Sequence, residues 1–392
     1  MKKLIVIIII LTTLTGCWNY RELNQLAIAT GIAIDKDKDG YLVTIMIANS
    51  KKNGDNKQQA ATTVYEGNGK TFFEAIKDVS LSVSRQIYLG HIEIIVLSEE
   101  IAKQDIVNAT EFLFRYPQTR NEFYLILAQD CKAGDVLKIT IPLESFPSQN
   151  VAKNLEITDK LQGFTYKVTF NDFIKTILEQ GIHPVLPSIN IVGDIKEGNS
   201  DENIKQNMPK TKLKLGMMGI FKNDKFITFA TKDESKGINI INNKIKTSGF
   251  IIDCNGGNVV VEVTQLKTNI DFDLTSNIPK IKININAQAA IEEVSCKLDL
   301  KDKQVIQDIK TKSEQEAIKI VNSALTLAQT NQTDIFGFGN KIYKKNYKYW
   351  YKVKTNWDNE IFPKINFTTN AKIDLETKGS TDYRIEVTNG NH

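Results

Sequence analysis

Little in this 392-residue chain suits metal or nucleophilic chemistry. Its three histidines, His91, His183 and His392, are far apart, so no zinc site is readable. The four cysteines form no Cys-x-x-Cys pair, and beyond Cys17 an odd, scattered set remains: Cys131, Cys254 and Cys296. That pattern gives no disulfide framework. There is no Gly-x-Ser-x-Gly elbow, no His-Glu-x-x-His and no EF-hand loop. Acids such as Glu111 and Glu122 are scattered, which reads as solvated surface rather than a catalytic pair. Charge is nearly balanced, with 50 basic residues against 46 acidic and a net of +4, so nothing global suggests nucleic acid. Metal, cofactor and catalytic residues are therefore not expected.

Two glycine-rich stretches come close to nucleotide motifs and fall short. "GNGKT" at 67–71 would need glycine five places before its Gly-Lys pair, where Val64 stands. "GFGN" at 337–340 lacks the third glycine and the preceding strand of a dinucleotide fingerprint. The first reads as a turn entering a helix.

Long apolar runs are also missing, apart from one at the start. Met1-Lys2-Lys3 is followed by apolar residues from Leu4 to Leu14, broken only by Thr12 and Thr13. The run is too short to cross a bilayer, which takes about 20 residues. It fits a secretory leader, yet no Ala-x-Ala site follows. Instead Leu14-Thr15-Gly16-Cys17 resembles the bacterial lipobox. Cleavage between Gly16 and Cys17 would make Cys17 the first mature residue, with its thiol free to accept a diacylglyceryl group. At roughly 0.8 kcal/mol per buried CH₂, one acyl chain binds marginally and two hold stably. Residues 1–16 are thus expected to be a signal peptide, leaving about 375 residues, enough for two or three domains.

The mature chain reads as mixed α/β. Strands are expected at 26–35 and 41–50, joined by a charged turn, with a polar loop at 51–59 and a third strand at "TTVYEG". In "TFFEAIKDVSLSVSRQI", Phe73, Ile76, Val79 and Val83 recur at helical spacing. "HIEIIVLS" and "EFYLILAQD" are near-continuous apolar strands, the kind covered on both faces. A proline-rich, polar region follows and reads as a short helix, a strand near 185–192 and a linker. Beyond it come a hairpin around Lys222-Asn223-Asp224, a short helix at "DESKGINIINN", and strands at 247–252 and 258–268. The last third holds "KIKININAQAAIEE", a long helix over 302–330, an aromatic-rich helix over 338–360, and the strand "KINFTTNAKIDLET". Three domains are expected: an N-terminal α/β domain (17–200), a middle domain (201–275) and a C-terminal α+β domain (276–392) with two long helices and antiparallel strands.

At 100° per residue, Lys341, Lys344, Lys345, Lys348 and Lys352 share one arc of the aromatic-rich helix. Tyr343, Tyr347, Trp350, Val353 and Trp357 occupy the opposite one. The lysines would face anionic lipid or a partner on one reading, at around 1 kcal/mol per basic residue near a membrane surface. On the other, an aromatic stripe packs on the core and the lysines face water. Arg115 and Arg120 flank "YPQT", where they would bind an anionic group on a partner or pair with neighbouring acids.

The blocks "GCWNYRELNQLAIATGIAID", "GKTFFEAI", "LGHIEIIVLSEEIA" and "FRYPQTRNEFYLILAQD" resemble the Ger(x)C family, the lipoprotein C subunits of spore nutrient-germinant receptors. So do "MGIFKNDKFI", "DESKGINIINNKIK", "DIFGFGNKIYKKNYKYW" and "NWDNEIFP", and all stand in family order along nearly the whole chain. The chain departs from the pattern at Asn19 and Tyr116, where members often carry Asp, and its middle hairpin is more basic. The resemblance implies a three-domain α/β lipoprotein on the outer face of the spore inner membrane. It would be a non-enzymatic subunit working beside membrane-spanning A and B subunits. It makes Cys17 the lipid site and places Trp18, Arg21 and Glu22 nearest the membrane and those partners. The alternative is a lipoprotein solute receptor of an importer, which would show two similar lobes around an aromatic cleft. A cell-wall hydrolase is the third class.

Overall fold

The computed structural model describes residues 22–49, 60–104, 106–161, 163–245 and 247–376. The leader, Gly16, Cys17, Trp18, Arg21 and the polar stretch at 51–59 lie outside the described residues.

Nine strands form the first sheet: β1 (Leu26–Asp37), β2 (Gly40–Ala48), β3 (Thr62–Gly69), β4 (Gln86–Tyr88), β5 (Ile94–Leu97), β6 (Tyr124–Ala128), β7 (Val185–Val192), β8 (Lys212–Lys222) and β9 (Lys225–Phe229). Their order is β3-β2-β1-β5-β6-β7-β8-β9, with β4 beside the start of β1. The centre, β1 to β7, is parallel, and both flanks are antiparallel. The central strands are apolar on both faces because helices cover both. On one face Ile32, Ile34, Ile95 and Leu125 share a core with α1 (Phe72–Ser80), α2 (Glu99–Gln104) and α3 (Ile106–Arg115). On the other, Ala33, Ile94, Val96 and Ile126 meet α4 (Ala133–Lys138) and α5 (Pro147–Leu161). Buried Asp35, at the C-terminal end of β1, accepts from the Ala133 and Gly134 amides, both at 2.8 Å, and so caps α4. Burial pushes the Asp35 carboxyl up, against these two bonds.

"GNGKT" is the β3–α1 turn, with Thr71 capping α1 by accepting from the Glu74 amide at 3.1 Å. A Cβ on Gly69 would lie 2.4 Å from the Ala75 nitrogen, so only glycine lets strand and helix approach this closely. α1 differs from its expected stripe: it ends at Ser80 and buries Phe72, Ala75, Ile76 and Val79, leaving Phe73 47% exposed. Adjacent phenylalanines made two registers equally apolar, and packing chose Phe72. The residues beyond are drawn away to pair β4 with β1.

The second sheet runs β10 (Ser248–Cys254), β11 (Gly257–Asp273), β12 (Lys280–Val294), β13 (Asn366–Glu376). The helix α10 (Lys303–Thr330) packs on it and buries Ile309, Ala317, Ile320, Val321, Ala324 and Leu325. Here the structure departs from the expected antiparallel strands. β13 pairs parallel with β12, because α10 and the helical region after it carry the chain back to the end where β12 began.

Strand pairing groups the chain into two sheets. The expected boundaries at 200/201 and 275/276 fall between β7 and β8 and between β11 and β12, which pair with each other. The expected linker is also structured. It carries α7 (Ile195–Gly198) and α8 (Glu202–Lys205), and buried Asn203 donates to the carbonyls of Thr140 and Thr211, both at 3.0 Å. The cysteines need correction too: Cys254 and Cys296 form a disulfide across 42 residues, with Cα atoms 6.2 Å apart. Only the pairing of β10 and β12 to either side of β11 brings them together.

Candidate functional site at the junction of the two sheets

The two sheets meet at a polar, tightly bonded junction. The helix α9 (Lys232–Ile241) opens with a capping box at Thr231 and Glu234 and bridges the sheets. Its Ser235 hydroxyl accepts from the Met218 amide of β8 at 3.1 Å, while its Ile240 carbonyl accepts from the Thr268 hydroxyl of β11 at 2.8 Å. Gly237 lets it cross α10 closely, since a Cβ there would sit 2.4 Å from the Ile320 carbonyl oxygen.

The "DIFGFGN" segment builds the second contact. Asp334 is fully buried, and its carboxylate accepts from the amides of Phe336 (3.3 Å), Phe338 (3.1 Å) and Gly339 (2.7 Å) and from the Trp357 indole (3.1 Å). Burial pushes its carboxyl up, and these donors act against that. Gly337 adopts φ +66° before the helix α11 (Phe338–Lys345), and Gly339 leaves room for the Trp350 and Trp357 rings. Across the junction, the loop after α6 (Phe170–Leu178) answers with its backbone. The Gly181 carbonyl accepts from the Asn340 amide at 2.9 Å, the Gln180 carbonyl from the Asn340 side chain at 3.0 Å, and the Gln180 side chain from the Trp350 indole at 2.9 Å. His183 is buried between the Asn223 amide, 3.0 Å from Nδ1, and the Asp358 carboxylate, 3.1 Å from Nε2. Lys222 reaches Asn359 at 3.0 Å. Most donors and acceptors here meet a partner across the junction, while His183 Nε2, Asp358 Oδ1 and Thr333 Oγ1 are buried without a hydrogen bond.

The composition of this junction escaped sequence reasoning. Asp334 and Asn340 stand about 150 residues from Gln180 and His183 in the chain, and their only early signal was glycines set beside aromatics in "GFGN".

The lysine arc is corrected as well. The helix expected over 338–360 breaks at Asn346 (φ −147°, ψ 82°), whose side chain caps α12 (Tyr347–Val353). The five lysines therefore do not lie on one continuous helix. The Lys341 stem is exposed, but its ammonium donates to the Phe336 carbonyl at 2.7 Å and lies 5.5 Å from the Phe338 ring centre, and burial holds its pKa down. Lys344 lies 3.6 Å from Glu179, and Lys345 stands over Phe272 at 6.0 Å. Lys348 and Lys352 are exposed. Trp350, Val353 and Trp357 pack in the core as the core-stripe reading expected, while Tyr343 is half-buried and Tyr347 is exposed. A cavity of about 400 Å³ opens beside the junction, lined by Tyr166, Lys175, His183, Lys244, Ile335 and Lys344.

The other candidate contacts lie elsewhere. Arg115 is exposed and pairs with Glu111 one helical turn earlier. Arg120 is exposed in the turn before β6. Glu22 is exposed and accepts from the Asn24 amide at 3.0 Å. Among the described residues, no group of three His, Cys, Asp or Glu side chains is placed to hold a metal ion, and no helix is long and apolar enough to cross a membrane.

Residues 19–191 match the spore germination protein N-terminal domain, and residues 217–379 match the B3/GerAC-like C-terminal domain of spore germination proteins. The chain belongs to the Ger(x)C family of spore germination proteins. It is similar to spore germination protein KC of Bacillus subtilis, 28% identical over 393 residues that cover 96% of each chain. It is also similar to spore germination protein B3 of the same organism, 24% identical over 374 residues that cover 93% of this chain and 95% of that one. The crystal structure of the GerBC protein shares the fold, with a TM-score of 0.54 at 19% identity over 90% of this chain and 99% of that one. The Ger(x)C family comprises germinant-receptor C subunits, and the junction segments "DESKGINIINNKIK" and "DIFGFGN" lie inside its C-terminal domain.

Proposed function

We propose that this Ger(x)C chain is a lipid-anchored, non-enzymatic subunit of a spore nutrient-germinant receptor. It is held at the outer face of the spore inner membrane through Cys17 and assembles there with membrane-spanning A and B subunits, relaying the nutrient signal. The observation that carries this reading is the end-to-end match to spore germination protein KC, across both family domains. Two features add support. The Cys254–Cys296 bridge suits a compartment outside the reducing cytosol, where an exported lipoprotein resides. The bonds of Asn340 and Trp350 to Gln180, and of α9 to β8 and β11, tie the two sheets together, which suits a subunit that relays a contact from one to the other. Trp18, Arg21 and Glu22, next to the anchor, are the partner contacts in this scheme, and exposed Arg115 and Arg120 extend the surface on offer.

The test is Cys17→Ala in the native spore, scored for membrane fractionation and for nutrient-triggered germination. Loss from the membrane with impaired germination is expected. Wild-type germination from a protein in the soluble fraction refutes the mechanism.

A further inference from the structure

The way the chain leaves its anchor fixes which end of the molecule faces the bilayer. We infer that the end of the nine-stranded sheet carrying Leu23, Leu81 and Arg120 seats directly on the lipid surface, with the β1–β2 turn at Lys38 pointing away. This rests on the proposed acylation of Cys17.

Glu22 is five Cα steps from Cys17, so it lies within about 18 Å of the acylated residue whatever path the chain takes. Leu23 begins a single 3₁₀ turn, Leu23–Gln25, that feeds straight into β1. At this end Leu26, Ala27 and Ile28 pair in parallel with Gln86, Ile87 and Tyr88 of β4. β5 and β6 run parallel to β1 and begin level with its middle, Ile94 opposite Gly31 and Tyr124 opposite Ile94. Leu23–Gln25 and the Leu81–Arg85 stretch thus precede paired strands at this end, and His91 and the turn holding Arg120 precede β5 and β6 on the same side of the sheet.

Their chemistry suits a membrane interface. Leu23 is 72% exposed and Leu81 is 85% exposed, two isolated leucines among polar neighbours and without a core to cover them. Exposed Arg120 precedes β6 on this side, with exposed Glu22 and Glu122. Apolar side chains that dip below the headgroups, rimmed by guanidinium groups that meet phosphates, make up a peripheral membrane contact. A short tether selects the lipid surface as the occupant, because it keeps Glu22 within about 18 Å of the acylated residue, less than half the length of β1. The opposite end is out of reach: β1 runs 12 residues, and the exposed turn at Lys38 lies about 40 Å along it from Leu26.

The full acylated chain on phosphatidylglycerol vesicles tests this. In a Cys131→Ser background, an environment-sensitive fluorophore is placed by Leu23→Cys, Leu81→Cys or Lys38→Cys. Brominated acyl chains should quench the probes at 23 and 81 at least about twofold more than the probe at 38, as expected for groups seated 5–10 Å into the interface. Water-like emission at 23 and 81 from co-sedimenting protein overturns the orientation and leaves the anchor standing. Equal quenching at 38 does the same. Protein that fails to co-sediment refutes the anchor and this inference with it. Shielding that arises only when integral partners are added assigns the face to protein and overturns the lipid contact.

Discussion

Replacing Asp334 with alanine should be among the most damaging single changes available at the junction. The carboxylate accepts four N–H groups, at 2.7 to 3.3 Å, and no solvent reaches it. Alanine strands the Phe336, Phe338 and Gly339 amides and the Trp357 indole, and each unsatisfied buried donor costs about 1–3 kcal/mol. Removing a buried charge returns part of that, so the net loss is put at about 3–5 kcal/mol against a typical stability of 5–15 kcal/mol. Asp334→Asn is not a rescue. One carboxylate oxygen serves Phe336 and Phe338 and the other serves Gly339 and Trp357, so an amide NH₂ meets either one pair of donors or the other. It should cost about 2–3 kcal/mol. Urea unfolding followed by tryptophan fluorescence measures both, since Trp350 and Trp357 stand at the site. The sign with pH is also defined. The folded carboxyl titrates above its ordinary 3.8, so the folded state binds the proton more readily. Wild-type stability therefore falls as pH climbs from 3.8 through the raised value, and both variants lack that contribution. An alanine variant within about 1 kcal/mol of wild type, less than one stranded donor is worth, would refute the reasoning.

Three further outcomes follow from the same physical chemistry. Gly237→Ala improves helix propensity by up to about 1 kcal/mol. It also drives a Cβ to within 2.4 Å of the Ile320 carbonyl oxygen, so a net loss of about 1–2 kcal/mol is expected in the urea midpoint. Opening the 42-residue loop by Cys254→Ser should cost about 4 kcal/mol in the chain-entropy account, with the same loss produced in wild type by reductant and no further loss in the variant. Lys236 donates to the Gly249 carbonyl beside the Phe250 ring, and burial lowers its pKa to about 8. The unfolded chain keeps that proton up to 10.5, so wild-type stability should rise between pH 8 and 10.5 relative to Lys236→Met; a flat difference between the two curves would sink the assignment.

Legibility followed sequence distance. Strands β5 and β6 were plain because burial on both faces removes polar alternation and leaves continuous apolar runs such as "EIIVL". The hairpin at Asn223 and the long helix α10 were equally clear, because turn chemistry and 3.6-residue periodicity are local. α1 was half-read: the helix was evident, but Phe72 and Phe73 are interchangeable until a sheet selects one. The helix over 338–360 failed for a related reason. Its apolar spacing was helical throughout, yet Asn346 gains more by capping α12 than by continuing α11, which regular periodicity does not reveal.

The sequence alone determined the family and the positions of most strands and helices, because each of these is written in neighbouring residues. Only the tertiary structure decided which strands share a sheet, that β13 runs parallel to β12, that Cys254 meets Cys296, and that Asp334 is a buried hub. Those outcomes depend on groups far apart in the chain being forced together. Burying apolar surface brings them close, and the need to satisfy each buried N–H and C=O then dictates which of them touch.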